Sequence, residues 1–120
     1  MSAYNFQARF ASLVESGVKR QTIRATGKRR HARLGEPVQL YTGMRTRFCR
    51  KLIKPDPICI QTQSIEMVEF NSVVLIFING ELVQDAEALA VADGFYTFVD
   101  FINFFRRVHS FPFHGVLIRW

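Results

Sequence analysis

The chain has 120 residues, enough for one domain with its own core and too few for two. A hydrophobic content of 48%, including 12 Phe, argues against disorder throughout. The longest purely apolar run, Val73–Ile78, is far shorter than the roughly 20 residues of a membrane-spanning helix. There are only two cysteines, Cys49 and Cys59, and the first residues lack the features of a secretory signal. We therefore expect a single domain, residues 1–120, in the cytoplasm and without a membrane partner.

Basic residues are concentrated in the N-terminal half of the chain. Residues 1–54 hold 13 of the 16 Lys and Arg against two acidic residues, a net charge of +11, whereas residues 55–120 carry a net charge of −5. Such asymmetry is typical of a fold that presents one face to a polyanion such as RNA. The aromatic residues Tyr41 and Phe48 among the basic ones favour this interpretation over a merely solvated basic surface.

Short elements are predicted along the first half. The residue pattern indicates strands and one helix, at residues 3–7 (strand), Ala8–Ser16 (helix, ended by Gly17), Lys19–Ala25 (strand) and Val38–Thr42 (strand). Side chains alternate from Arg45 to Ile53, which predicts a half-buried antiparallel strand with Arg45 and Arg47 on a largely basic face.

The second half is predicted to contain further strands and two helices. The strands are expected at Ile58–Val68, Val73–Ile78, Glu81–Val83 (after a hairpin turn at Asn79-Gly80) and Gly115–Trp120. Asp85 is a suitable N-cap for a helix over Ala86–Ala92, and Thr97 for a second helix with an aromatic stripe that we assign to the core. Together these elements predict an α+β fold with a small, mostly antiparallel β-barrel and two to three short helices.

Several short motifs occur in an order found in a known family. Gly17-Val18-Lys19 is followed by Thr22-Ile23-Arg24, close to the pattern G-x-K-x-x-E-x-R. The preceding helix RFASLVESG, the step Leu34-Gly35-Glu36, the segment Ala92–Phe95 before an aromatic helix and the ending GVLIRW are also similar. From about Phe6 to Trp120 the chain thus resembles the ASCH domain, a family of PUA-like barrels, and the resemblance implies that fold.

Thr22 stands where glutamate is commonest in the family. This K-x-x-T-x-R form is similar to one ASCH branch, the small bacterial N-acetylcytidine amidohydrolases, whose catalytic set is a lysine, that threonine and a glutamate from the later helical region. The resemblance implies catalytic roles for Lys19 and Thr22, and for Asp93 at the most plausible equivalent of the glutamate. Other ASCH members are thought to bind RNA without chemistry, and a few are described as ribonucleases. RNA and a modified nucleoside are therefore both implied as partners.

Removal of an acyl group from the exocyclic amine of cytidine needs a nucleophile, a base and an acid. The Thr22 hydroxyl would attack or position a water, and Lys19 would act as the base if nearby cations disfavour its charged form. Asp93 is the expected proton donor, with Glu66 and Glu69 as alternatives. The predicted ligand- or phosphate-binding residues are Arg20, Arg24, Arg45 and Arg47.

The catalytic assignment faces one geometric objection. In an ideal strand Lys19 and Thr22 lie on opposite faces, because side chains alternate with a period of two. Both reach one pocket only if the strand begins after Lys19, or if a bulge near Gly17 redirects it. The alternatives stay open at this point: Lys19 as a phosphate ligand, Thr22 as an ordinary strand residue and Asp93 as a helix end.

No metal site and no cofactor are predicted. Cys49, Cys59, His109 and His114 lack the close cysteine spacing of zinc sites. Gly27-Lys28 lacks the glycine pattern of a phosphate-binding loop. The sequence therefore supports three functions: an amidohydrolase acting on acylated cytidine, a non-catalytic RNA-binding module and a ribonuclease.

Overall fold

A computed structural model describes residues 2–120 of the chain. Within this range there are three helices and eight strands, which confirms the predicted α+β class. The helices are α1 (Ala8–Glu15), α2 (Ala86–Ala92) and α3 (Phe98–Val108). The strands are β1 (Ser2–Phe6), β2 (Gln21–Ala25), β3 (Val38–Thr42), β4 (Arg50–Lys51), β5 (Gln61–Phe70), β6 (Val73–Ile78), β7 (Glu81–Leu82) and β8 (Phe113–Arg119).

The strands form two sheets. The larger sheet is antiparallel throughout, in the order β2-β8-β5-β6-β7. The smaller sheet has the order β1-β3-β4, with β1 and β3 parallel and β3 and β4 antiparallel. The hydrogen-bonded ladders of residues 2–120 do not join into one closed sheet, so the small barrel stays a prediction.

The helices begin and end as their capping residues predict. The Asp85 carboxylate accepts a hydrogen bond from the Ala88 amide at 3.0 Å at the start of α2. The Thr97 hydroxyl accepts one from the Asp100 amide at 3.1 Å at the start of α3. Gly17 follows α1 with a φ of +80°, the left-handed conformation that ends many helices. No helix of the described residues is long and apolar enough to cross a membrane.

The aromatic stripe of α3 lies in the core, as predicted. Phe101 and Phe105 are 0% and 2% exposed, and their ring centroids are 4.9 Å apart. Phe105 also makes an edge contact with Phe113 at the start of β8, at 5.1 Å. These rings attach α3 to the larger sheet and fix the position of the helix end next to β2.

The strand predicted from Arg45 to Ile53 is wrong. Within this segment, Arg50–Lys51 alone pair with β3, and residues 43–49 form a turn instead of a strand. Gly43 and Arg45 both have a φ of +66°, which no strand residue adopts. The Thr46 hydroxyl donates to the Gly43 carbonyl at 2.6 Å, so local hydrogen bonds replace the expected ladder.

Other strand boundaries move by a few residues. The strand predicted at Ile58–Val68 begins at Gln61 and continues to Phe70, while Ile58 makes only an isolated bridge to Pro37. The closing strand begins two residues earlier than predicted, at Phe113. The strand predicted over Lys19–Ala25 begins at Gln21, and this shift decides the geometry of the site.

Candidate functional site

A cavity of about 250 Å³ lies where the edges of the two sheets approach each other. The Arg24 side chain of β2 connects the two sheets here, because its guanidinium donates a hydrogen bond to the Asn5 carbonyl of β1 at 2.8 Å. The apolar walls come largely from three phenylalanines, Phe6, Phe10 and Phe104. Polar and charged side chains line the rest, among them Asn5, Gln7, Lys19, Thr22, Arg24 and His109. The cavity therefore combines flat apolar surfaces with hydrogen-bonding groups, as small-ligand sites do.

Lys19 and Thr22 line this same cavity. The opposite-face objection does not apply, because β2 begins at Gln21 and Lys19 precedes the strand. The Lys19 amide donates to the Leu13 carbonyl of α1 at 2.9 Å, so the chain is still turning off the helix at this residue. Both side chains are buried, each with 3% of its surface exposed.

The Lys19 ammonium contacts the C-terminal end of α2. Its Nζ donates to the Asp93 backbone carbonyl at 2.5 Å and to the Asp93 carboxylate at 3.2 Å. The first bond satisfies a carbonyl at a helix end, and the second forms a buried ion pair. Gly94, with a φ of +97°, allows this approach, because a Cβ there would lie 3.0 Å from the Lys19 Cδ. Lys19 thus has a structural role in addition to lining the cavity.

Burial shifts both members of this pair toward their uncharged forms. It lowers the pKa of the Lys19 amine, against the opposing effect of the Asp93 carboxylate. It raises the pKa of the Asp93 carboxyl, against the opposing effects of Lys19 and Gln21. A lysine with a lowered pKa is better able to accept a proton near neutral pH.

A chain of side-chain hydrogen bonds continues from Asp93 to the larger sheet. Gln21 Nε2 donates to the Asp93 carboxylate at 3.3 Å, and Gln21 Oε1 accepts from Arg119 Nε at 3.3 Å. Because Arg119 is only a donor, it fixes the orientation of the Gln21 amide. Asp93 is therefore held as an acceptor by both Lys19 and Gln21, and it is not among the residues that line the cavity.

No protein-family model, curated protein or solved structure matches this chain. The resemblance to the ASCH domain therefore stays a prediction that rests on the sequence motifs.

Thr22 and Arg24 are joined inside the cavity. Arg24 Nε donates to the Thr22 hydroxyl oxygen at 2.9 Å, which leaves the hydroxyl proton free for another acceptor. The guanidinium lies 5.0 Å from the Phe6 ring centroid and 5.2 Å from that of Tyr4. Burial lowers the pKa of Arg24 to about 10. A cation held this way stabilises negative charge that develops on or near the Thr22 oxygen.

The remaining predicted residues lie outside the cavity lining. Asp93 contacts Lys19 but does not line the cavity, and Arg20 is exposed beside Trp120 on a different surface. Glu66 and Glu69 are on β5, where they face His114 and Arg106. No carboxylate of residues 2–120 lines the cavity.

Arg45 and Arg47 are outside the cavity lining, in the turn over residues 43–49, whose Met44 amide donates to the side chain of Asn5 in that lining at 2.9 Å. The Arg47 guanidinium lies over the Phe48 ring, 5.0 Å from its centroid. The two arginines are therefore placed beside the cavity on a turn, and not on the basic face of a strand.

His109 is a cavity residue that the sequence did not identify as part of this site. It directly follows α3. Its ring stacks on the Phe105 ring, with centroids 5.5 Å apart, and makes a tilted contact with the Phe113 ring, with centroids 4.9 Å apart. Partial burial lowers its pKa, and the positive charge of Arg24 lowers it further. Only its place at the end of an aromatic helix before a turn could have indicated a position near the site.

We predict that the pKa of His109 rises toward its ordinary value of 6.5 in the Arg24→Gln variant, because one of the two causes of the shift is removed. The pKa stays below 6.5, since partial burial remains. An NMR titration of the ring protons measures this. Arg107→Gln, which removes a cation from the same helix, is the control and leaves the pKa unchanged. An identical titration in wild type and Arg24→Gln would contradict the placement of Arg24 beside His109.

Among residues 2–120 there is no group of three or more His, Cys, Asp or Glu side chains placed to hold a metal ion. Cys49 is exposed and Cys59 is buried.

Proposed function

We propose that this chain is an ASCH-type domain of PUA-like barrel architecture that binds an N-acylated cytidine in the cavity and hydrolyses its acyl group. One observation carries the proposal: Lys19, Thr22 and Arg24 of the K-x-x-T-x-R motif line a single cavity. The bridge from Arg24 to the Asn5 carbonyl supports the barrel, because it connects the edge strands of the two sheets.

The size and lining of the cavity suit one small ring. Its volume of about 250 Å³ lies just below the roughly 300–1,000 Å³ typical of sites for drug-sized ligands. Phe6, Phe10 and Phe104 offer aromatic surfaces for a flat base. Asn5 and Gln7 offer amide groups that pair with the polar edge of a pyrimidine.

The proposed reaction begins with attack by the Thr22 oxygen on the acyl carbon of the substrate. The Thr22 proton passes to the Lys19 amine, whose lowered pKa favours the neutral form that accepts it. Arg24, which already donates to the Thr22 oxygen, stabilises the negative charge that develops on the acyl oxygen. The carbon–nitrogen bond then breaks, and Lys19 returns the proton to the departing amine of cytidine. Water hydrolyses the resulting threonine ester and releases the acid.

In this scheme Asp93 positions Lys19 and does not donate the proton itself. Its carboxylate contacts Lys19 and Gln21 and is not part of the cavity lining. It balances the charge of Lys19 at the moment when the lysine holds the proton.

Incubation of the purified protein with N-acetylcytidine tests the proposal. We expect cytidine and acetate to form in equal amounts, as measured by chromatography. Cytidine with an alkyl group on the same nitrogen is the control, because it has no acyl carbon to attack. If no acylated cytidine is hydrolysed, the amidohydrolase proposal fails.

A second candidate function is binding of the same ligand without chemistry. It is favoured by the absence of a carboxylate among the described residues that line the cavity, since the resembled enzymes use one. The same incubation separates the two functions: binding by calorimetry without release of acetate would support the second.

A further inference from the structure

The turn over residues 43–49, here called the arginine turn, is closed by its own hydrogen bonds and contacts Asn5 of the cavity lining. Thr46 Oγ1 donates to the Gly43 carbonyl at 2.6 Å and accepts from the Phe48 amide at 3.1 Å. Only glycine fits at position 43, because its φ is +66° and a Cβ would lie 2.9 Å from the Phe48 carbonyl oxygen. The position of Phe48 is therefore fixed by the backbone of the turn.

One hydrogen bond attaches the arginine turn to β1, which lines the cavity, and a second attaches the end of β3 just before the turn. The Met44 amide donates to the Asn5 side-chain oxygen at 2.9 Å, and the Thr42 hydroxyl donates to the Phe6 carbonyl at 2.7 Å. A surface groove runs along the turn past Thr46 and Phe48. This groove and the cavity share Asn5, Phe6 and Gln7, so the two adjoin at the end of β1.

The groove presents an exposed aromatic ring beside unpaired cations. Phe48 is 72% exposed, and the Arg47 guanidinium lies 5.0 Å from its ring centroid. No carboxylate of residues 2–120 lies within 4.0 Å of Arg45 or Arg47, whereas the neighbouring Arg50 is paired with Glu15. An exposed aromatic ring next to cations that no carboxylate neutralises matches the chemistry of a nucleotide, whose base stacks and whose phosphate is negatively charged.

We propose that the arginine turn is a subsite for the nucleotide adjacent to the one in the cavity, so that the substrate is single-stranded RNA. The adjacent base stacks on Phe48, and Arg45 and Arg47 contact the phosphates on either side of it. This inference rests on the proposed function, because it takes the cavity as the site of the modified base. The charge of +11 over residues 1–54 agrees with a polyanionic ligand.

The test compares a short single-stranded RNA containing one N-acetylcytidine with the free nucleoside. Fluorescence anisotropy measures the affinity for the labelled RNA, and calorimetry measures that for the nucleoside. Phe48→Ala is expected to lower the ratio of RNA affinity to nucleoside affinity by roughly tenfold or more, because the base has no ring to stack on. Phe48→Tyr keeps an aromatic face and retains the ratio. Phe70→Ala is the matched control, since Phe70 is 68% exposed at the distant end of β5.

The arginines are tested through the salt dependence of RNA binding. The Arg45→Gln/Arg47→Gln variant is expected to reduce the slope of log affinity against log salt by roughly 0.7 for each phosphate that is no longer neutralised. Arg107→Gln, on the exposed side of α3, is the control and leaves the slope unchanged.

The possible results distinguish a failure of the subsite proposal from a failure of the proposed function. If the nucleoside binds but RNA binds no more tightly, or if Phe48→Ala matches Phe70→Ala, the subsite is refuted while the proposed function stands. If the wild type binds neither ligand, both proposals fail. If polyglutamate binds as tightly as RNA and loses the same affinity in Phe48→Ala, the groove is instead a site for acidic protein segments, and the RNA proposal is overturned.

Discussion

Replacing Thr22 with valine is expected to lower the turnover of N-acetylcytidine by roughly a thousandfold or more, because the attacking oxygen is removed. Valine has nearly the shape of threonine, so the buried site at 3% exposure remains filled. Arg24 Nε loses its acceptor, which is expected to cost about 1.5–3 kcal/mol of stability, because the donor is charged, and to leave the protein folded. The rate constant from single-turnover measurements is the appropriate readout, together with a thermal melt.

The matched control for Thr22→Val is Thr62→Val. Both threonines are opposite Ile118 of β8, Thr22 on β2 and Thr62 on β5, but Thr62 is exposed and does not line the cavity. Thr62→Val is expected to keep full activity. Thr22→Ser, which retains a hydroxyl, is expected to keep part of the activity. If Thr22→Val keeps wild-type turnover, water attacks without help from this residue and the proposed nucleophile is wrong.

The parts of the fold that depend on local signals could be predicted from the sequence. Asp85 and Thr97 cap the helices they were expected to cap, because an N-cap side chain bonds an amide only three residues away. The bounds of β3 and β6 also agree with the apolar patterns at Val38–Thr42 and Val73–Ile78. In these segments the local preference and the tertiary environment favour the same conformation.

The arginine turn shows where this reasoning fails. The alternation from Arg45 to Ile53 matches a strand, yet Gly43 and Thr46 close a turn whose hydrogen bonds satisfy the same backbone groups. An alternating pattern reports only which side chains differ in polarity, and it does not show whether a partner strand is present. Among the described residues, the one strand that pairs with this segment is β3, and it pairs with Arg50–Lys51 alone.

The full set of residues in the candidate site could be established only from the three-dimensional structure. The motif spacing led to Lys19, Thr22 and Arg24, which line one cavity because β2 begins two residues after Lys19. The contact between Lys19 and Asp93 joins residues 74 positions apart, and its geometry cannot be deduced from spacing. His109 reaches the cavity only because Phe105 and Phe113 fix the end of α3.

The buried pair of Lys19 and Asp93 is expected to contribute strongly to stability. Their side chains are only 4% and 5% exposed, so removal of either partner leaves an uncompensated buried charge. Lys19→Met and Asp93→Asn are each expected to lower the free energy of unfolding by about 3–5 kcal/mol. Urea unfolding at neutral pH measures the loss. Glu69→Gln, which breaks the exposed pair with Arg106, is the control and causes a much smaller loss.

The two variants are expected to depend on pH in opposite ways. In Lys19→Met, the pKa of Asp93 rises further above its ordinary value of 3.8, because burial is no longer opposed by the lysine. Above pH 3.8 the unfolded chain releases this proton while the folded chain keeps it, so the folded state binds more protons. The wild type loses stability in the same way up to its own raised Asp93 pKa. Stability relative to wild type therefore falls as the pH rises from the Asp93 pKa of the wild type to the higher one of the variant, and it is regained on acidification.

In Asp93→Asn, the pKa of Lys19 falls further below its ordinary value of 10.5, because the carboxylate that opposed burial is gone. Below pH 10.5 the unfolded chain keeps a proton that the folded chain releases, in the wild type down to its own lowered Lys19 pKa and in the variant to a still lower pH. Stability relative to wild type therefore increases as the pH rises from the Lys19 pKa of the variant to that of the wild type. Urea unfolding of both variants and wild type across this range gives the two slopes. Slopes of the same sign, or none, would show that Lys19 and Asp93 are not buried against each other. In that case the burial that lowers the pKa of Lys19 would be absent, and with it the reason for Lys19 to act as a base in the proposed reaction.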